Sequence, residues 1–114
     1  MRAVLVTGTA RGLGAAIADR LAADGLAVVR ADLAAGDVRL DVRDAEAWTA
    51  AADVLEATGE PWALVNCAAR TVVSGLFEIA PDEWDDVLAT NVKGHSSGCG
   101  RARRNSPRRA VGAS

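Results

Sequence analysis

Apolar positions in this chain come in short runs separated by stretches of helical period. Ala3–Val6 is a compact, valine-containing run closing on Thr7 and Gly8, which predicts a buried strand. From Leu13 to Asp24 the apolar residues Leu13, Ala16, Ile17 and Leu21 share one helical face, and Gly25 stands where a C-terminal cap belongs. Leu26–Ala31 predicts a second strand and Val38–Val42 a third. Only residues 33–37 separate these two, too few for a crossover helix, so the pattern predicts a loop.

Asp44 predicts the N-cap of a second helix, followed in helical period by Ala45, Trp48, Ala51, Ala52 and Leu55 and ended by Gly59-Glu60-Pro61. Ala63–Asn66 reads as a fourth strand. Pro81, Asp82 and Glu83 form the first turn of a third helix, with acids at the positive end of its dipole. Trp84, Val87, Leu88 and Asn91 lie on one face of it, and Trp48 and Trp84 are both expected in the core. Strands alternating with helices predict an α/β protein with a parallel, doubly wound sheet.

The pattern stops after Gly94. Residues 95–114 contain one bulky apolar residue, Val111, and their composition predicts disorder, because so little burial cannot offset the entropy of ordering. Charge divides at the same point. Residues 1–94 carry 15 acids and 8 bases, whereas residues 95–114 carry five arginines and no acid. Five arginines without interleaved aromatics make a weak nucleic-acid footprint, and a solvated tail is the expectation. Twelve arginines against one lysine, with abundant alanine, imply GC-rich coding, in which a shifted reading frame yields such a mixture. The expected organisation is thus a cofactor-binding part at 1–94 and a basic, out-of-frame tail at 95–114. No apolar stretch approaches the roughly 20 residues of a membrane helix. Cys67, Cys99 and His95 have no metal-ligand spacing, so a reduced, cytoplasmic, soluble protein is expected.

Candidate chemistry sits at the first strand end. Gly8, Gly12 and Gly14 follow it with the spacing G-x-x-x-G-x-G and open the first helix. A pyrophosphate needs close backbone N–H groups and the positive end of a helix dipole. Gly8 allows the sharp turn, Gly12 removes a Cβ where a cofactor would lie, and Gly14 permits tight packing of the helix. Leu13 lies between them, and Arg11 adds positive charge. Asp32, 18 residues past Gly14, ends the second strand, where a carboxylate accepts both ribose hydroxyls of NAD and repels the 2′-phosphate of NADP. NAD is therefore the expected cofactor.

Residues 7–14, Thr-Gly-Thr-Ala-Arg-Gly-Leu-Gly, resemble the T-G-x-x-x-G-x-G motif of the short-chain dehydrogenase/reductase family. Asp41-Val42 resembles the family's D-V pair, whose carboxylate lies near the adenine. Asn66-Cys67-Ala68-Ala69 resembles a relaxed N-N-A-G, placing Asn66 and Ala68 beside the cofactor. Residues 83–94 resemble the helix carrying the family's catalytic asparagine, here Asn91. The resemblance covers residues 1–94 and implies part of a Rossmann-type sheet with strand order 3-2-1-4. Its last strand would present an apolar edge.

The family's Tyr-x-x-x-Lys pair and serine lie beyond this span. The chain has no tyrosine, and its single lysine, Lys93, belongs to another helix. The resemblance therefore implies an NAD(P)-dependent oxidoreductase of alcohols and carbonyls, present here only as its cofactor-binding part and inactive alone. The alternative is a nucleotide-binding or regulatory module pairing, as a homo- or hetero-oligomer, through helix 82–93.

Overall fold

Five of the six residues of β1 (Arg2–Thr7) are buried, because this strand lies between two others with a helix on each face of the sheet. The structure, a computed structural model, describes residues 1–70, 78–94, 96–99 and 111–112. α1 (Gly12–Ala23), β2 (Ala27–Asp32), β3 (Val38–Arg39), α2 (Ala45–Thr58) and β4 (Glu60–Asn66) follow β1. α3 (Pro81–Leu88) then runs into a π-helical turn, Ala89–Gly94, and β5 (Val111–Gly112) closes the series. Every strand pairing is parallel, in the order β3-β2-β1-β4-β5. The expected order of the first four strands is the observed one.

Side chains of β1 alternate between two apolar layers. Val4 and Val6 pack with Ala18 of α1, together with Ile17, Leu21, Val28 and Trp62. Leu5 points the other way, to Val29, Ala31, Leu40, Trp48 and Ala51 under α2. Both helices end as the sequence predicts. Gly25, at φ 91°, closes α1 with bonds from its own N–H to Ala22 and from Leu26 N–H to Leu21. Asp44 caps α2 by accepting from the Glu46 N–H at 2.9 Å.

Boundaries differ where hydrogen bonding departs from the apolar pattern. β3 stops at Arg39, because the chain turns away after Leu40 N–H bonds Asp32 and Asp44 N–H bonds Asp41. Leu40 and Val42 are nevertheless buried, now from a loop. β4 starts at Glu60 and includes Pro61, which reads as a helix stop. The register shifts between Ala3 and Val4, and this irregularity sits opposite the residue that lacks an N–H.

One expectation is corrected further along. Trp84 is 57 % exposed: α3 buries none of its residues fully, and on its apolar face Val87 is half-buried. Within residues 95–114, residues 96–99 form a helical turn, and Val111–Gly112 pair with Val65–Asn66, covering part of the β4 edge. Gly98 explains how a segment without apolar bulk can dock. It is buried, and a Cβ there would lie 2.5 Å from Cη2 of Trp48. Backbone packs directly on the indole. The rest of the expected tail lies outside the described residues. Among those described, no helix is long and apolar enough to cross a membrane.

Candidate functional site

A cleft of about 580 Å³ opens where the C-terminal ends of the strands meet the loops that follow them. This is where open α/β sheets bind ligands. The β1–α1 loop contributes Gly8, Ala10 and Arg11; the end of β2 gives Asp32, Leu33 and Ala34. Leu40, Asp41 and Val42 form the next part of the wall, Cys67 to Arg70 the part after β4, and Thr90 reaches in from the π-turn.

Backbone geometry shapes the phosphate-sized end. Gly8 and Gly12 take φ values of 74° and 65°, a region that costs other residues strain. A Cβ on Gly8 would come within 2.7 Å of the Ala68 nitrogen, so this glycine lets the first loop touch the β4 loop. A Cβ on Gly14 would collide with the Gly8 carbonyl, so this glycine seats α1 against the loop. Arg11, at the N-cap, makes no side-chain capping bond, and the first turn of α1 contains no acid. The helix therefore presents uncapped N–H groups and its positive dipole end. A Cβ on Gly12 would meet nothing within 4 Å.

Asp32 is held from two sides. Ala10 N–H donates to Oδ2 at 3.1 Å and Ala34 N–H to Oδ1 at 3.0 Å. Each carboxylate oxygen keeps a lone pair for a donor entering the cleft, and the charge is fixed at its rim. Thr7, completely buried, ties the opposite wall. Its Oγ1 accepts from Cys67 N–H and Ala68 N–H, both at 3.1 Å. Burial raises the Cys67 thiol pKa, which keeps a neutral group on that wall.

Asp41 faces a different partner. Arg43 donates from Nε and Nη2 to its carboxylate, the latter at 2.8 Å, and this hydrogen bonding lowers the Asp41 pKa. Arg43 also reaches Asp86 of α3 at 3.0 Å, and Arg70 reaches the other Asp86 oxygen at 3.1 Å.

Of the residues singled out from sequence, Gly8, Arg11, Asp32, Asp41, Val42 and Ala68 meet in the cleft. Gly12, Leu13, Gly14, Asn66 and Asn91 are not part of its lining. Leu13 is 59 % exposed. Asn66 is buried, with Nδ2 directed at the Cys99 sulfur at 3.5 Å and Oδ1 without a partner among the described residues. Asn91 spends both ends of its amide on Arg70, accepting from its N–H and donating to its C=O, each at 2.8 Å. Sequence reasoning missed Thr7 as a wall tie and Arg70 as a lining residue. Thr7 stood inside the matched motif, and Arg70 directly follows the Asn66–Ala69 stretch.

The short chain dehydrogenase family model matches residues 30–112. The match begins past the glycine motif and runs through β5. The chain is 39 % identical over 108 residues to the short-chain reductase protein NovJ of Streptomyces niveus, with 79 % of this chain and 41 % of that protein covered. It is 37 % identical over 108 residues to the 2,5-dichloro-2,5-cyclohexadiene-1,4-diol dehydrogenase LinX of Sphingobium indicum, covering 79 % of this chain and 43 % of that protein. The chain thus spans about two-fifths of these relatives. Among solved structures, a variant of a Serratia marcescens short-chain dehydrogenase/reductase superposes with a TM-score of 0.84 at 32 % identity, over 97 % of this chain and 56 % of the other. An actinorhodin polyketide ketoreductase solved with NADPH gives 0.84 at 26 % identity, over 97 % and 52 %.

Proposed function

The chain belongs to the short-chain dehydrogenase family, and on that premise we propose that it carries the adenosine and pyrophosphate half of a nicotinamide dinucleotide site selective for NAD. Asp32 carries this reading. Its carboxylate is fixed at the cleft rim by two backbone N–H groups, opposite a glycine turn and an uncapped helix start. The uncapped N–H groups of α1 and the Arg11 guanidinium would hold the pyrophosphate, and Asp32 would accept the ribose hydroxyls. A 2′-phosphate would face that carboxylate as a like charge. NADPH in the actinorhodin ketoreductase structure belongs to that protein, and Asp32 is the reason to read this chain differently.

The bound cofactor supplies hydride-transfer chemistry. This chain's residues bind, orient and exclude water; none of them is a tyrosine that could move the substrate's proton. Binding without turnover is therefore the proposed property of the 114-residue chain, with substrate oxidation or reduction requiring residues outside it. Asn91, committed to the Arg70 backbone, is assigned a positioning part in that arrangement.

Calorimetric titration tests the reading. NAD should bind at least about tenfold more tightly than NADP, and Asp32→Ala should erase the difference, as expected when a like-charge contact of about 1.4 kcal/mol is removed. Equal affinity of the unmodified chain for both cofactors would overturn the assignment. A second reading rests on α3 and the π-turn, whose Trp84, Leu88 and Val92 are exposed in one row. That row supports pairing with another copy or a longer relative, and light scattering across a dilution series decides it.

A further inference from the structure

An unbroken chain of alternating charges crosses the cleft wall. Asp41 and Arg70 both line the cleft, and Arg43 and Asp86 connect them on the outside. The Arg43 guanidinium lies between two carboxylates, at 2.8 Å from Asp41 and 3.0 Å from Asp86. The Asp86 carboxylate lies between two guanidinium groups, Arg43 on one oxygen and Arg70 on the other. Asn91 adds its pair of hydrogen bonds with the Arg70 backbone, and its neighbour Thr90 reaches the cleft.

Among the described residues α3 itself has little else to hold it, the turn that follows seating buried Gly94 on Val42. None of its residues is buried, and the large apolar side chains Trp84 and Leu88 face outward. A helix fastened by apolar contact keeps its place at any ionic strength. A helix fastened by half-exposed ion pairs does not, because salt screens them.

We propose that Arg43 and Asp86 are positioning residues for the cleft: Asp41–Arg43–Asp86–Arg70 is an ionic clasp that docks α3 along one wall and sets the place of Arg70 and Thr90 beside a bound dinucleotide. The part concerning the dinucleotide rests on the reading of the cleft given above. Neither residue touches the ligand; both act through residues that do.

Amide hydrogen exchange and NAD titration of the same 114-residue chain test the two parts separately. Asp86→Asn removes the central charge on an exposed position. It should speed exchange across residues 81–94 about three- to tenfold while leaving β1 and β4 unchanged, as a local opening does. Sodium chloride at about 0.5 M should produce the same change in the unmodified chain and add little to Asp86→Asn. Arg43→Gln should match Asp86→Asn, the two combined should exceed neither by much, and Asp86→Glu should restore slow exchange. NAD affinity should fall about three- to tenfold in both single variants, in step with exchange. Unchanged exchange at 81–94 in Asp86→Asn and Arg43→Gln would overturn the clasp. Faster exchange with unaltered NAD affinity would overturn its positioning of the cleft. Exchange in β1 and β4 reports whether a variant has lost the fold, and Arg43→Gln repeats the test at a second site. Absence of NAD binding to the unmodified chain would defeat the cofactor assignment while the exchange result still decides the clasp.

Discussion

Around β1, α1 and α2 cover the two faces of the sheet, α2 with Trp48 at 2 % exposure and α1 with Ala18 at none beside half-buried Ile17 and Leu21. α3 and the π-turn leave Trp84, Leu88 and Val92 at 57, 44 and 62 % and are fastened by ion pairs, one asparagine and the seat of buried Gly94 on Val42. Both regions contribute to the same cleft. The packed region supplies the glycine turn, the start of α1 and Asp32, whose positions depend on close fit. The fastened region supplies Thr90 and holds Arg70, whose positions depend on charge. Geometry that a ligand must find ready-made comes from apolar packing, while the wall that can yield is held by interactions that water and salt weaken.

Trp48 is the place where the comparison breaks most visibly. Its ring is buried under α2, its Nε1–H donates to the Val42 carbonyl at 2.9 Å, and Gly98 sits on its far edge. Trp48→Ala should cost about 3–5 kcal/mol, read as a lowered midpoint in urea. A loss below about 1 kcal/mol would show that the packed region does not depend on this layer.

Gly98→Val sharpens the boundary between the regions. The added Cβ would lie 2.5 Å from Cη2 and 2.7 Å from Cζ2 of Trp48, so either the 96–99 turn lifts off or the indole shifts. The expected cost is roughly 1–3 kcal/mol with a changed tryptophan emission, and it should be much smaller in a Trp48→Ala background. A neutral Gly98→Val would mean that this turn contributes nothing to the folded state.

That glycine also shows why the sequence was readable in one region and not the other. β1 and α2 bury side chains, so their period is written in Val4, Leu5, Val6, Trp48 and Ala51, and the helix ends in Gly25 and Asp44. Of the α1 face read as Leu13, Ala16, Ile17 and Leu21, Ile17 and Leu21 pack beside Ala18 while Leu13 and Ala16 stay exposed. Of the candidate site residues, Gly8, Arg11, Asp32, Asp41, Val42 and Ala68 meet in one cleft, whereas Gly12, Leu13, Gly14, Asn66 and Asn91 lie outside its lining. Residues 96–99 dock through the absence of a side chain, which a search for apolar bulk reads as nothing to bury. α3 gave the opposite error. Its amphipathic face predicted a core helix, yet amphipathicity states only that a face is apolar and does not name what covers it. The clasp was hidden for a third reason. Asp41, Arg43, Arg70 and Asp86 are common surface types at separations without period, and only the fold brings them together.

Acid should loosen the fastened region before the packed one. Hydrogen bonds and charge from Arg43 hold the Asp41 pKa below its ordinary 3.8. A carboxylate with a lowered native pKa contributes stability that is fully present above the unfolded value and lost as pH falls through the native one. The resonance of the Trp84 indole should therefore be constant from about pH 7 to 5 and move below about pH 4, ahead of resonances from Trp48. Simultaneous movement of both would join the two regions into one unit. The effect is small, because the carboxylate is about one-third exposed and water screens the pair.

Trp84→Ser should have the smallest effect of all on the isolated chain, within about 0.5 kcal/mol in either direction, since more than half of the residue is already in water. That expectation holds only if nothing covers the row of Trp84, Leu88 and Val92. Association through the row would bury it, and stability would then rise with protein concentration, because binding to the folded state alone shifts unfolding by mass action. Melting at two concentrations about a hundredfold apart separates the cases. Equal midpoints in the unmodified chain, with no change on Trp84→Ser, leave the apolar row uncovered and α3 held by its ion pairs and the anchors of the turn that follows. A concentration-dependent midpoint that Trp84→Ser flattens would mean that the apolar row is a core face after all, completed by a second chain, and that the two regions differ only in where their apolar partner comes from.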